Sequence, residues 1–218
     1  MNALDQRFVE MWLDCRDPDV PTERCLLVAQ KIVKQLRQLY AQPWRIYHDF
    51  GHIEYCLEVY EECGHFANHP NELGIAIWFH ACIYDLGASD NEARSRDWFL
   101  SCSEGVLNNE ARERIADLIM DTCFPSEPMS HDGRLIVDID LSNLRDKLEV
   151  FMRESKAVMD ELSQLKEQAT EDADQHLANF FSGFLAREHV FFSDYFRQHY
   201  DHIARANIEY SLQALSKA

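Results

Sequence analysis

Two short segments carry histidines and acids that can do chemistry together. Tyr47-His48-Asp49-Phe50-Gly51-His52 leads into residues 53–63, and Trp78-Phe79-His80 leads on to Tyr84-Asp85. After His52, the residues Cys56, Leu57, Val59, Tyr60 and Cys63 recur at three- and four-residue intervals, the spacing of a helix face. His52, Cys56 and Val59 therefore share one inward face. His80 lies within residues 73–83, which are apolar nearly all round and read as a helix buried on every side. A single buried histidine is ordinarily a hydrogen-bonded core residue. Two buried imidazoles each need a partner to offset desolvation, and a shared metal ion supplies one. Zinc, manganese or iron accepts imidazole together with carboxylate. The acid is sought downstream, where residues 135–144 hold Asp138 and Asp140. Two residues turn about 200° around a helix, so only one of the two can face such an ion. Helical spacing leaves open which.

The elements that position these residues are helical. Amphipathic spacing predicts a short helix over 4–13 and a longer one over 22–40, with Thr22 as a weak cap and Pro43 ending it. The turn at Asn68-His69-Pro70 precedes the buried helix, which Gly87 stops. Ser89-x-x-Glu92 has the form of a capping box opening the next helix. Further helices are predicted over 108–120, from a Ser130 cap to about 140, within the charge-rich 144–167, over 173–187 and over 195–215. Strand alternation is absent, and 7 Gly with 6 Pro is too little punctuation for a many-stranded sheet. The expectation is an all-α bundle of about ten helices in one domain, with a core at about 22–145 and a helical extension at about 146–218.

Composition narrows the partners. A net charge of −17 opposes sequence-independent binding to a nucleic-acid polymer or an anionic membrane. No apolar run reaches spanning length and the N-terminus is not a basic-then-apolar signal, so the expected location is the cytoplasm. Seven scattered cysteines without a C-x-x-C pair argue against a disulfide framework or a structural zinc module.

Taken together, Arg45-Ile46-Tyr47-His48, Trp78-Phe79-His80-Ala81-Cys82-Ile83-Tyr84-Asp85, Asp90-Asn91-Glu92-Ala93-Arg94-Ser95, Asp138-Ile139-Asp140-Leu141-Ser142 and Ala204-Arg205-Ala206-Asn207 resemble a bacterial group of predicted metal-dependent HD-superfamily phosphohydrolases. The resemblance runs from about Arg45 to the C-terminus and implies an HD-type bundle. It implies His52, His80 and Asp140 as ligands to a divalent ion (Mn, Fe, Zn or Mg), with Asp138 the alternate. It implies His48 as the general acid, adds Glu92 to the catalytic candidates, and offers Arg45 and Arg94 to a substrate phosphate. The substrate class implied is a small phosphorylated metabolite, a nucleotide first.

The chain departs from the pattern at Ala81, where the superfamily has its name-giving aspartate, and at Phe124, where the group often has histidine. Losing a carboxylate weakens the hold on a divalent ion or removes it. Asp85, one turn after Ala81 on the same helix face, is the available partial substitute. Two functions follow: a metal-dependent phosphohydrolase, or a degenerate relative that binds a nucleotide or protein partner without turnover.

Overall fold

The computed structural model describes residues 2–123, 127–165 and 173–216. It is all-helical, and no strand occurs among the described residues. Ten α-helices follow in order: α1 (Ala3–Asp14), α2 (Thr22–Tyr40), α3 (Phe50–Cys63), α4 (Pro70–Phe79), α5 (Asn91–Ser103), α6 (Asn109–Asp121), α7 (His131–Asp140), α8 (Leu148–Leu162), α9 (Ala173–Leu185) and α10 (Asp194–Leu215). None of them is long and apolar enough to cross a membrane.

Local chemistry sets most boundaries. Asp49 opens α3 by accepting the Gly51 and His52 amides, and Ser130 opens α7 by accepting that of Gly133 at 2.8 Å. Pro70 takes the first position of α4, where its missing N–H costs nothing. Two expected caps do not form. Pro21, without a side-chain acceptor, precedes α2, and Thr22 is already helical. Ser89 lies outside α5, which starts at Asn91 after an Asp90 whose side chain caps nothing. Glu92 is thereby released from the structural role that a capping box would have given it.

α4 is the axle of the bundle. Every residue from Glu72 to Phe79 is buried, among α1, α3, α6 and α7. Its Trp78 and Phe79 pack with Phe8 and Trp12 of α1 and Phe99 of α5 at ring separations of 5.1–6.3 Å. α1 therefore belongs to the hydrophobic core, which begins well before residue 22. Gly74 permits this approach, since a Cβ there would collide with the Met11 sulfur. The one acid within α4, Glu72, is met by Arg114 in a two-pronged ion pair, 2.7 Å on each arm.

The C-terminal helices are stitched to the same body. The Asp138 carboxylate accepts the amides of Phe192 and Ser193 and the Ser193 hydroxyl, at 2.8, 2.7 and 2.6 Å. Asn207 of α10 donates to the carbonyls of Leu144 and Asp146, both at 2.9 Å. This fixes the turn that follows α7 and, with it, the end of the helix that carries Asp140.

Candidate metal centre

Three side chains from three helices meet at one point. His52 projects from the first turn of α3, His80 caps the C-terminus of α4, and Asp140 is the last residue of α7. His52 Nε2 lies 3.0 Å from Asp140 Oδ1, His80 Nε2 lies 3.3 Å from the same oxygen, and the two Nε2 atoms are 3.4 Å apart. Both imidazoles are buried, and the Asp140 side chain retains 22% of its exposure, so the cluster is reached from one side.

The triangle fits an ion. Bonds of about 2.1 Å separated by about 90–109° place donor atoms about 3.0–3.4 Å apart, whereas opposed donors would stand about 4.2 Å apart. All three edges fall in the first range, so the donors occupy one face of a coordination sphere and leave the opposite face open. The tautomer suits this too. His80 Nδ1 sits 2.9 Å from the carbonyl of Ile77, which places its proton there and leaves the Nε2 lone pair aimed into the triangle.

Electrostatics agree. Burial alone would raise Asp140, yet the two imidazoles hold its carboxyl well below the usual carboxylate range. Burial lowers His52 against the pull of Asp140. For His80, burial also lowers, but the Asp140 charge and its hydrogen bonds outweigh it and the net direction is up.

His48 stands beside the triad. Its ring packs on Tyr84 with centroids 4.4 Å apart and planes at 25°, and its Nδ1 meets Glu161 Oε1 at 2.5 Å. Glu161 is a site residue that the sequence reading missed. It comes from α8, is 1% exposed at the side chain, and its Oε2 also accepts the amides of Ile46, Tyr47 and His48 at 2.7–3.1 Å. Burial would raise this carboxyl, but His48 and the backbone donors push it down to about 2. The carboxylate accepts from His48 Nδ1 and so fixes the orientation of the ring.

Several expectations change. Arg45 was expected to pair with a substrate phosphate. Its buried guanidinium is instead committed to the carbonyls of His48, Ala81 and Cys82 and to the Gln42 amide oxygen, at 2.8–3.0 Å. It ties the two histidine segments together. α4 ends at Phe79 and not at about 83: the Trp78 carbonyl accepts the Tyr40 hydroxyl at 3.1 Å, the Cys82 amide bonds back only as far as the Phe79 carbonyl, and the Ile83 amide leaves the helix for Ser95 Oγ at 3.0 Å. Asp85 is consequently not one turn beyond Ala81 on a helix. It pairs with Arg94 at 2.6 Å on the surface, which removes Asp85 as a substitute ligand and occupies Arg94. Glu92 is half-buried, and its charge acts on His80. Asp138 faces the 192–193 backbone, opposite to Asp140. Phe124 lies outside the described residues.

No family model, no curated protein and no solved structure matches this chain.

Proposed function

We propose that this chain is a metal-dependent phosphohydrolase with a mononuclear centre held by His52, His80 and Asp140. The 3.0–3.4 Å triangle of donor atoms carries the reading. A divalent ion there supplies Lewis-acid activation of water and of a phosphoryl group. The protein's own residues supply the rest. Asp140 and His80 present lone pairs to one point, and Arg45 keeps the His48 and Ala81 segments in register. His48 would pass a proton from Nε2 to the departing oxygen when its ring is the doubly protonated imidazolium that the Glu161 carboxylate stabilises, and would be left as the Nδ1–H tautomer bonded to Glu161. Glu92, freed from capping, is the remaining acid near His80. Burial of the imidazoles excludes water from the ligand side.

A second reading, binding without turnover, is favoured by Ala81, which leaves the site one carboxylate short of the HD pattern. Phosphate release from a panel of small phosphoesters with Mn²⁺ separates the two. The hydrolase reading expects metal-dependent release that falls by at least about 100-fold in His48→Asn with metal affinity kept, the usual scale of general acid catalysis. Tight metal binding with no release from any ester supports the binding role.

A further inference from the structure

The donors of the centre discriminate among ions. Two of the three converging atoms are imidazole nitrogens, from His52 and His80, and the third is a carboxylate oxygen of Asp140. The position after His80 adds no donor, because Ala81 puts a buried methyl where the HD pattern has a second carboxylate. The Arg45 guanidinium fixes the backbone there by donating to the Ala81 carbonyl at 2.8 Å. The other acids nearby do not supply the missing oxygen. Asp85 is paired with Arg94 at the surface, and Asp138 is spent on the amides of Phe192 and Ser193. Glu92 acts on His80 through its charge and is not among the converging donors.

Such a set sorts divalent ions by donor type and by shape. Magnesium and manganese favour oxygen donors, magnesium gives up its waters reluctantly, and manganese stands at the weak end of the affinity order for nitrogen-bearing sites. Zinc accepts imidazole and carboxylate together, and three protein ligands with an open position is its ordinary catalytic arrangement. Copper(II) and nickel(II) favour a square plane, in which three donors on bonds of about 2.1 Å would include an opposed pair about 4.2 Å apart. The longest edge here is 3.4 Å, so the donors cap one face and do not lie across a plane. We propose that His52, His80 and Asp140 form a zinc site, and that Ala81 makes it selective by withholding the oxygen donor that manganese and magnesium need. This rests on the metal-centre reading of the three residues and not on the hydrolysis of any ester. Ala81 thereby gains a role of its own. With a single carboxylate, the loaded centre keeps one uncancelled positive charge toward its open side, which suits an anionic phosphoryl group.

The test uses the full chain stripped of metal. Zn²⁺, Mn²⁺ and Mg²⁺ are titrated singly in competition with a chromophoric chelator and by calorimetry, and bound metal is counted by elemental analysis after gel filtration. Zinc should load at a single ion per chain and bind at least about 100-fold more tightly than manganese, and millimolar magnesium should not displace it. Ala81→Asp should raise the affinity for Mn²⁺ more than that for Zn²⁺ and so shrink their ratio at least about fivefold. Ala81→Asn supplies an uncharged oxygen that is less costly to bury, and it should move the ratio in the same direction by less. Circular dichroism shows that each variant is folded. His80→Ala should lose the zinc, which separates this centre from the other histidines of the chain. A preference for zinc over manganese below about 100-fold, or a ratio that neither substitution at position 81 moves, overturns the proposal and leaves the metal centre standing. Zinc that stays bound in His80→Ala, or a wild-type chain that holds no ion at all, overturns the metal-centre reading together with it.

Discussion

Replacing Glu161 by glutamine removes one charge and one acceptor oxygen from a place where four donors converge: the amides of Ile46, Tyr47 and His48 and the His48 ring. The glutamine carbonyl can serve some of the amides, but its NH₂ then faces the His48 Nδ1 proton, donor against donor. The wild-type carboxyl moves from an ordinary 4.5 to about 2 on folding. That displacement corresponds to about 3 kcal/mol of stability, undiminished by solvent because the side chain is 1% exposed. A depressed carboxyl contributes fully above its unfolded value and loses the contribution as pH falls through the folded one. The wild type should therefore exceed Glu161→Gln by about 3 kcal/mol at pH 7. The gap should begin to close below about pH 5 and be nearly gone near pH 2. Urea unfolding of both proteins at a series of pH values measures this. Imidazole ¹⁵N spectra should show the His48 proton move from Nδ1 to Nε2 in the variant. A gap under about 1 kcal/mol at pH 7, or one that does not change with pH, would refute the assignment of Glu161 as the ionised anchor of His48.

Asp138→Ala removes the acceptor of three buried hydrogen bonds and should cost about 3–5 kcal/mol, with metal affinity per folded chain unchanged by calorimetry. Ala81→Asp places a carboxylate directly after His80. It should lower the melting temperature of the metal-free protein and raise Mn²⁺ affinity at least about tenfold, about 1.4 kcal/mol, so that added Mn²⁺ recovers the lost stability. Because the ion must displace the proton that Asp140 favours on His80, metal affinity should weaken as pH falls through the raised value of that histidine. Titrations at pH 8, 7 and 6 should show the decline, and a flat profile would remove the proton from the account.

The helices were largely legible from periodicity, and so were the inward faces of His52 and His80, whereas the choice of Asp140 over Asp138 came from the resemblance. His52 declared its inward face through Cys56 and Val59, and the opposition of Asp138 and Asp140 followed from their two-residue spacing. The end of α4 was not legible. Ala81, Cys82 and Ile83 continue the apolar run, but the Trp78 carbonyl accepts the hydroxyl of Tyr40, 38 positions earlier, and the Ile83 amide donates to Ser95 instead of continuing the helix. An interaction at that separation leaves no local trace. Glu161 escaped for a related reason. In a charge-rich stretch a buried acid looks like its solvated neighbours, and the available sign was its place three residues after Val158, on the flank of the stripe formed by Phe151, Ser155 and Leu162. The capping box failed because pattern alone does not say where a helix starts. Asn91 donates to the carbonyl and accepts the amide of Asp85, and it begins α5 two residues beyond the expected cap.

The account turns on whether His52, His80 and Asp140 hold an ion together. Cobalt(II) titration of the full chain, read by visible absorption and checked by elemental analysis, tests this most directly. We predict saturation at a single ion per chain with ligand-field bands of low coordination number, and loss of those bands in His80→Ala and in the isosteric Asp140→Asn while the folded helical signal is retained. Bands that persist unchanged in both variants, or no binding by the wild-type chain, would contradict it.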